Sequence, residues 1–157
     1  MSDPITSLAR RIALRKRRST VPTGIIPLSR VKEAAVLMDG EGVMIPQLRT
    51  EVEQFFGPLG IKATIVCPYK QDINWFGRIK KKSPCRPTGS EDLLICLYDT
   101  PAFAASFESV SSPAKFKVGR LQSPDGVFNM VVSNPEGRIV TQSEAFRAMA
   151  DLLTKIK

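Results

Sequence analysis

The stretch Asp92-Leu93-Leu94-Ile95-Cys96-Leu97-Tyr98-Asp99 constrains the fold more than any other part of the chain. Leu93 to Leu97 run without a polar break and lead into Tyr98, with a carboxylate at each end. A strand with one wet face alternates apolar and polar residues. An unbroken apolar run of this length suits a segment buried on both faces, as in a parallel sheet. A buried helix carries the same pattern, but Gly89-Ser90 before the run and Asp99-Thr100-Pro101 after it favour a strand. The run is predicted to be the central strand.

Other elements follow around it. Ser2-Asp3-Pro4 reads as a helix start, and a helix over about residues 4–18 ends in a wholly basic turn. Ile5, Leu8, Ala9, Ile12 and Ala13 share one of its faces. Pro22, Gly24 and Pro27 then break the helix. Ala34 to Met38 reads as a first buried strand ending at Asp39, followed by the tight loop Gly40-Glu41-Gly42. A helix from Ile45 to Phe56 has Pro46 in its first turn and Gly57-Pro58 as its stop. Ile61 to Val66 is a second strand rich in β-branched residues. After the central strand, Thr100-Pro101 opens a short helix, with Asp99 and Thr100 resembling its cap. Ala114 to Val118 and Val127 to Val132 are the fourth and fifth strands, separated by the turn Ser123-Pro124-Asp125-Gly126. The short gap permits antiparallel pairing of those two. Lys115-Phe116-Lys117-Val118 alternates, which suggests a strand near an edge with one face wet. A final helix covers about residues 143–156.

The expected fold class is α/β: a three-layer Rossmann-like sandwich with a mostly parallel sheet of four or five strands. It divides into a basic N-terminal helix and linker, residues 1–32, and a single α/β domain, residues 33–157.

With 157 residues the chain is about one domain long. It contains no histidine, so Ser-His-Asp and Cys-His catalysis are excluded. Cys67, Cys85 and Cys96 are odd in number and have no C-x-x-C spacing, so neither a disulfide framework nor zinc is expected. No cofactor is expected. With no bilayer-length apolar run and no apolar signal segment, the expected compartment is the cytoplasm.

The net charge of +8 is unevenly placed. Residues 1–32 hold eight basic residues against Asp3, a net of +7, which leaves +1 for the rest. Arg10, Arg11, Arg15, Lys16, Arg17 and Arg18 lie within nine positions. Such an arm points to a polyanion: RNA, a ribonucleoprotein or an anionic membrane surface. It reads equally as a solvated helix docked on the core by Ile5, Leu8 and Ile12. The membrane version lacks Trp and Phe on the apolar face. The long connection 68–91 is also basic. Lys70, Arg78, Lys80, Lys81, Lys82 and Arg86 stand against Asp72, with Glu91 at its end. Its Trp75 and Phe76 either pin the loop to the body or, with the lysines, form a surface for single-stranded nucleic acid.

In an open α/β sheet, ligands gather at the carboxyl ends of the strands. Asp39 with Gly40 and Gly42, Asp99 with Thr100, and Ser133 with Asn134 are the residues expected there. Gly40-Glu41-Gly42 precedes a helix N-terminus, where backbone N–H groups can receive a phosphate, but it lacks a third glycine and a Walker lysine. Asp39 and Asp99 could pair for acid–base or metal chemistry.

Asp92 to Asp99 and Ser112-Pro113-Ala114-Lys115-Phe116-Lys117-Val118-Gly119-Arg120 resemble a family of small bacterial proteins with a domain of unknown function, found mainly in Bacteroidetes. Asn74-Trp75-Phe76-Gly77 and Phe128-Asn129-Met130 fit the same pattern. The resemblance implies no activity. A fainter likeness, to the N-terminal Rossmann-like half of heptosyltransferase-type glycosyltransferases, implies the same fold. The function expected is non-enzymatic binding of a polyanion. The alternative is an enzyme, or enzyme relic, that binds a nucleotide or phosphosugar at Asp39, Gly40, Gly42 and Asp99.

Overall fold

The computed structural model describes residues 4–40, 44–122 and 126–157. The predicted cap Ser2-Asp3, the loop residues Glu41 and Gly42, and Ser123-Pro124-Asp125 of the predicted turn lie outside the described residues. The helices are α1 (Pro4–Arg17), α2 (Ile45–Phe56), α3 (Phe103–Ser111) and α4 (Gln142–Lys155). The strands are β1 (Glu33–Leu37), β2 (Lys62–Val66), β3 (Leu93–Cys96), β4 (Phe116–Gly119) and β5 (Met130–Val131). They form one sheet in the order β2-β1-β3-β4-β5, with every neighbouring pair parallel.

The apolar run does lie at the centre, as β3, with all four residues buried. The pleat sends Leu93, Ile95 and Leu97 to one face and Leu94 and Cys96 to the other. Register carries this across the sheet: Ile65 pairs with Val36, Val36 with Ile95, Ile95 with Val118 and Val118 with Met130. That row, with Leu48, Val52 and Phe56 of α2 and Phe146, Met149 and Leu153 of α4, makes the larger core. Arg147 of α4 also donates to Glu51 of α2 across this layer.

The opposite face packs Ala35, Leu37, Val66, Leu94 and Cys96 against Ala105 of α3 and Ile79 of the 68–91 connection. The chain steps from β1 to β2 in one direction and from β3 to β4 in the other. Right-handed crossovers therefore set α2 and α3 on opposite faces. The step from β2 over β1 to β3 falls on the α3 face, where no helix spans it. Residues 68–91 and α1 fill that layer instead.

On the far side of the sheet one open point is decided and one expectation is corrected. The β4–β5 pair is parallel, although only residues 120–129 join the strands. β4 is also internal, with all four residues buried, so Lys117 does not mark a wet face. Only 2 % exposed, Lys117 donates from Nζ to the Ser109 carbonyl at 2.7 Å. Ser109 stands in the last turn of α3, where carbonyls lack helical partners and the dipole is negative. The lysine thus caps α3 from inside the fold. Glu91, also buried, accepts from Ser112 Oγ at 2.8 Å and the Gly89 N–H at 2.9 Å.

Candidate functional site

Two regions contain the residues that the sequence singles out. The first is the outer layer on the α3 side. α1 packs on α3, but by a face other than the aliphatic one. Ser7, Ala9, Arg10, Ala13 and Leu14 are half-buried. Ile5, Leu8 and Ile12 are 77 %, 59 % and 44 % exposed, so they do not dock the helix on the core as expected. Arg10 faces inward, its guanidinium 4.9 Å from the centre of the Phe103 ring. Arg11, Arg15, Lys16, Arg17 and Arg18 are exposed. Beyond the helix, the Ser19 N–H donates to the Val110 carbonyl at 2.9 Å and the Gly24 N–H to the Lys115 carbonyl at 2.8 Å. These bonds tie the linker to the end of α3 and the start of β4.

The 68–91 connection is built by its own polar side chains. The Asp72 carboxylate accepts from the Tyr69 N–H at 2.9 Å and Ser83 Oγ at 3.0 Å. Ile73 and Ile79 form an isolated antiparallel bridge. Between them, Asn74 Oδ1 accepts from the N–H groups of Phe76 and Arg78, each at 3.0 Å, and closes a tight turn. Gly77 has φ +84°, and a Cβ there would stand 2.9 Å from Arg10 Nη2, so glycine suits this site on both counts. The sequence offered Trp75 and Phe76 as anchors. The structure assigns that role to Ile73 and Ile79, while Trp75 stands 87 % exposed at the turn. Lys80, Lys81 and Lys82 are exposed further along. Arg78 lies 4.0 Å over the Phe107 ring. The Arg10–Gly77 approach therefore sets the hairpin tip against α1.

The second region is the carboxyl edge of the sheet, at the β1/β3 switch in strand order. Gln142, the first residue of α4, holds Asp39 through two bonds. The Asp39 N–H donates to Oε1 at 2.8 Å, and Nε2 donates to the Asp39 carbonyl at 3.0 Å. A Cβ on Gly40 would sit 2.8 Å from the Pro68 carbonyl and 3.0 Å from the Tyr69 ring, so the chain after β2 occupies that side of Gly40. Burial pushes the Tyr98 hydroxyl well above its ordinary range, and the Asp39 carboxylate adds to this. Gly42 lies outside the described residues.

On the β3 and β4 side, Arg120 is buried and organises the edge. Its Nη1 donates to the Leu97 carbonyl at 3.1 Å. Its Nη2 donates to Asn134 Oδ1 and the Val140 carbonyl, each at 2.8 Å, and lies 3.8 Å from the Asp99 carboxylate. Asp99 thus lies beside Arg120 and is not the N-cap of α3: Ala102 holds that position and makes no side-chain capping bond. Asp99, Gln122, Ser133 and Asn134 line a shallow cleft over Arg120. A second, mostly apolar cleft opens between α3 and the β4–β5 connection, lined by Tyr98, Thr100, Ser106, Leu121 and Phe128. Asp39, Asp99, Thr100 and Asn134 therefore share one edge of the sheet, with Asp39 beside Tyr98 and Asp99 and Asn134 around Arg120. Sequence reasoning meets Arg120 only beside a strand expected near an edge and within the quoted resemblance, and gives Gln142 no role. A lone arginine after a predicted strand and a glutamine before a predicted helix carry no local signal of such long-range bonds. Among the described residues no group of acidic or cysteine side chains is placed to hold a metal. Cys67, Cys85 and Cys96 are free thiols, and burial pushes Cys96 up to about 11.

The model of a family of unknown function, DUF6913, matches residues 61–147. The chain belongs to that family. The DUF6913 match runs from the start of β2 into the second turn of α4, and so includes the hairpin tip, Asp99, Arg120 and Asn134. The basic helix α1, β1 and α2 precede it. No curated protein matches the chain. No solved structure matches it either.

Proposed function

We propose that the protein is a non-enzymatic binding module that engages a polyanion through its basic leader. The observation that carries this reading is the way α1 sits. Arg11, Arg15, Lys16 and Arg17 are exposed on a helix that is itself held against the body. Lys80, Lys81 and Lys82 add exposed positive charge. Charge concentrated on a fixed surface attracts polyanions and releases their counterions on contact. Retention on heparin and RNA co-purification, each followed against salt concentration, test it. Binding is expected to weaken steeply with salt. Replacing Arg11, Arg15, Lys16 and Arg17 with Gln is expected to remove most of it. Equal retention of the variant and the parent at every salt concentration refutes the reading.

A second reading rests on the cleft over Arg120. Asp99, Gln122, Ser133 and Asn134 present donors and acceptors around a buried guanidinium at a sheet edge where α/β proteins bind ligands. This suits a nucleotide or phosphosugar, in keeping with the faint likeness to glycosyltransferase halves. A thermal-shift panel of nucleotides and nucleotide-sugars decides it. A ligand at a hundred times its Kd adds about 2.7 kcal/mol, and an unshifted panel rejects the idea.

A further inference from the structure

We infer that the polyanion is the surface of an anionic lipid bilayer, and that α1 lies on it with Leu8 and Ile12 entering the headgroup–acyl boundary. This rests on the polyanion reading above and adds the identity of the partner. The argument starts from how the helix is docked. Arg10 stacks on Phe103 and points into the protein. At about 100° per residue, Leu8 and Ile12 lie roughly 160° round the helix from Arg10, nearly opposite it. Leu8 is 59 % and Ile12 is 44 % exposed, and Ile5, one turn before Leu8, is 77 % exposed. The protein thus uses a charged side chain for internal packing and turns aliphatic ones outward.

Charge complementarity selects the occupant. On the same projection Arg15 flanks the aliphatic stripe on one side and Lys16 on the other, and Arg11 lies just beyond Arg15. All three are exposed. An aliphatic stripe rimmed by cations, on a helix parallel to the protein surface, is the pattern of an interfacial helix on anionic lipid. Long basic side chains reach phosphate groups while their stems stay near the acyl chains. Nucleic acid would take the cations but offers nothing to two aliphatic side chains between them. The aromatic residues that such helices often carry are absent from α1. The exposed Trp75 lies two positions before Gly77, which Arg10 of α1 approaches.

The test uses the full chain and two variants, Leu8→Ser/Ile12→Ser and Arg11→Gln/Arg15→Gln/Lys16→Gln. The substituted side chains are exposed, so the melting temperature should stay within a few degrees of the parent, which is checked first. Each protein is sedimented with vesicles of pure phosphatidylcholine and of one part phosphatidylglycerol to two parts phosphatidylcholine. Each is also run on heparin and titrated with a single-stranded RNA oligonucleotide. The parent is expected to bind only the anionic vesicles. Leu8→Ser/Ile12→Ser should lose at least about tenfold in vesicle binding while keeping its heparin elution. The charge variant should lose both. Heparin retention without vesicle binding, RNA binding stronger than vesicle binding, or vesicle binding unchanged in Leu8→Ser/Ile12→Ser overturns the lipid assignment and leaves the polyanion reading standing. A parent that ignores heparin, RNA and vesicles alike overturns both.

Discussion

Lys117 offers a quantitative test of the buried polar network beneath α3. Burial pulls its ammonium down from 10.5 to about 8; Arg18 acts in the same direction and Glu91 against it. At about 1.36 kcal/mol per pH unit, that difference corresponds to roughly 3 kcal/mol spent on keeping the charge inside. Below pH 8 the lysine is charged in both folded and unfolded chains, so the whole destabilisation is present. Between pH 8 and 10.5 the folded chain releases the proton while the unfolded chain still holds it. The unfolded state then binds more protons, and stability must rise with pH across that window. Cys96 opposes this: its folded value of about 11 lies above the ordinary 9.0, so its contribution falls from pH 9 to 11. Tyr98, also pushed up, acts in the same direction as Cys96. Comparison with Lys117→Met separates the terms, because lost packing and the lost cap are constant offsets. Urea unfolding of both proteins at pH 7, 8, 9 and 10 is the assay. The stability of the parent minus that of Lys117→Met should rise by about 2–3 kcal/mol from pH 7 to pH 10. A difference that stays flat within about 0.5 kcal/mol refutes the claim that the lysine is buried as a charge.

Three further outcomes are expected. Ile79→Ala should destabilise by about 2–5 kcal/mol in denaturant unfolding, while Trp75→Ala stays within about 0.5 kcal/mol, because the isoleucine and not the tryptophan anchors the 68–91 connection. Arg120→Ala should cost about 3–5 kcal/mol, since the Leu97 and Val140 carbonyls and Asn134 lose their donor at once. In native thiol titration at pH 8, Cys85, half-buried and therefore more accessible, should react first; Cys96, buried and raised to about 11, should react only on unfolding.

The strongest sequence signals were local, and they survive in the fold. Leu93 to Leu97 reads as a two-faced buried strand because both helical layers require one. α2 begins and ends where Ile45-Pro46 and Phe56-Gly57 suggest, since a proline start and a Gly-Pro stop act within a single turn. Failures arise where a side chain's partner lies far along the chain. The alternation around Lys117 looks like a wet strand face until Ser109 supplies a carbonyl from a helix end. The periodicity of α1 marks an aliphatic face correctly but says nothing about which face meets Phe103. The β4–β5 pair is parallel, and the turn signal between the two strands, a local pattern, says nothing about how Val118 comes to pair with Met130. Around the candidate edge, Asp39, Asp99 and Asn134 were visible as strand-end residues, whereas Arg120 and Gln142 gain their importance only from bonds to strands and helices distant in sequence.

The tethers on α1 have a consequence for any encounter with a surface. A basic amphipathic segment that coils freely in solution must fold as it binds, and fixing each residue's backbone costs about 1–2 kcal/mol. Here Arg10 on Phe103, Ser19 on Val110 and Gly24 on Lys115 hold the helix and linker in place. The docked side and the outward side are separate, so contact need not pull the helix away from the body. Affinity can then come from few contacts, the off-rate can respond sharply to salt, and the rest of the domain arrives at the surface in one fixed orientation.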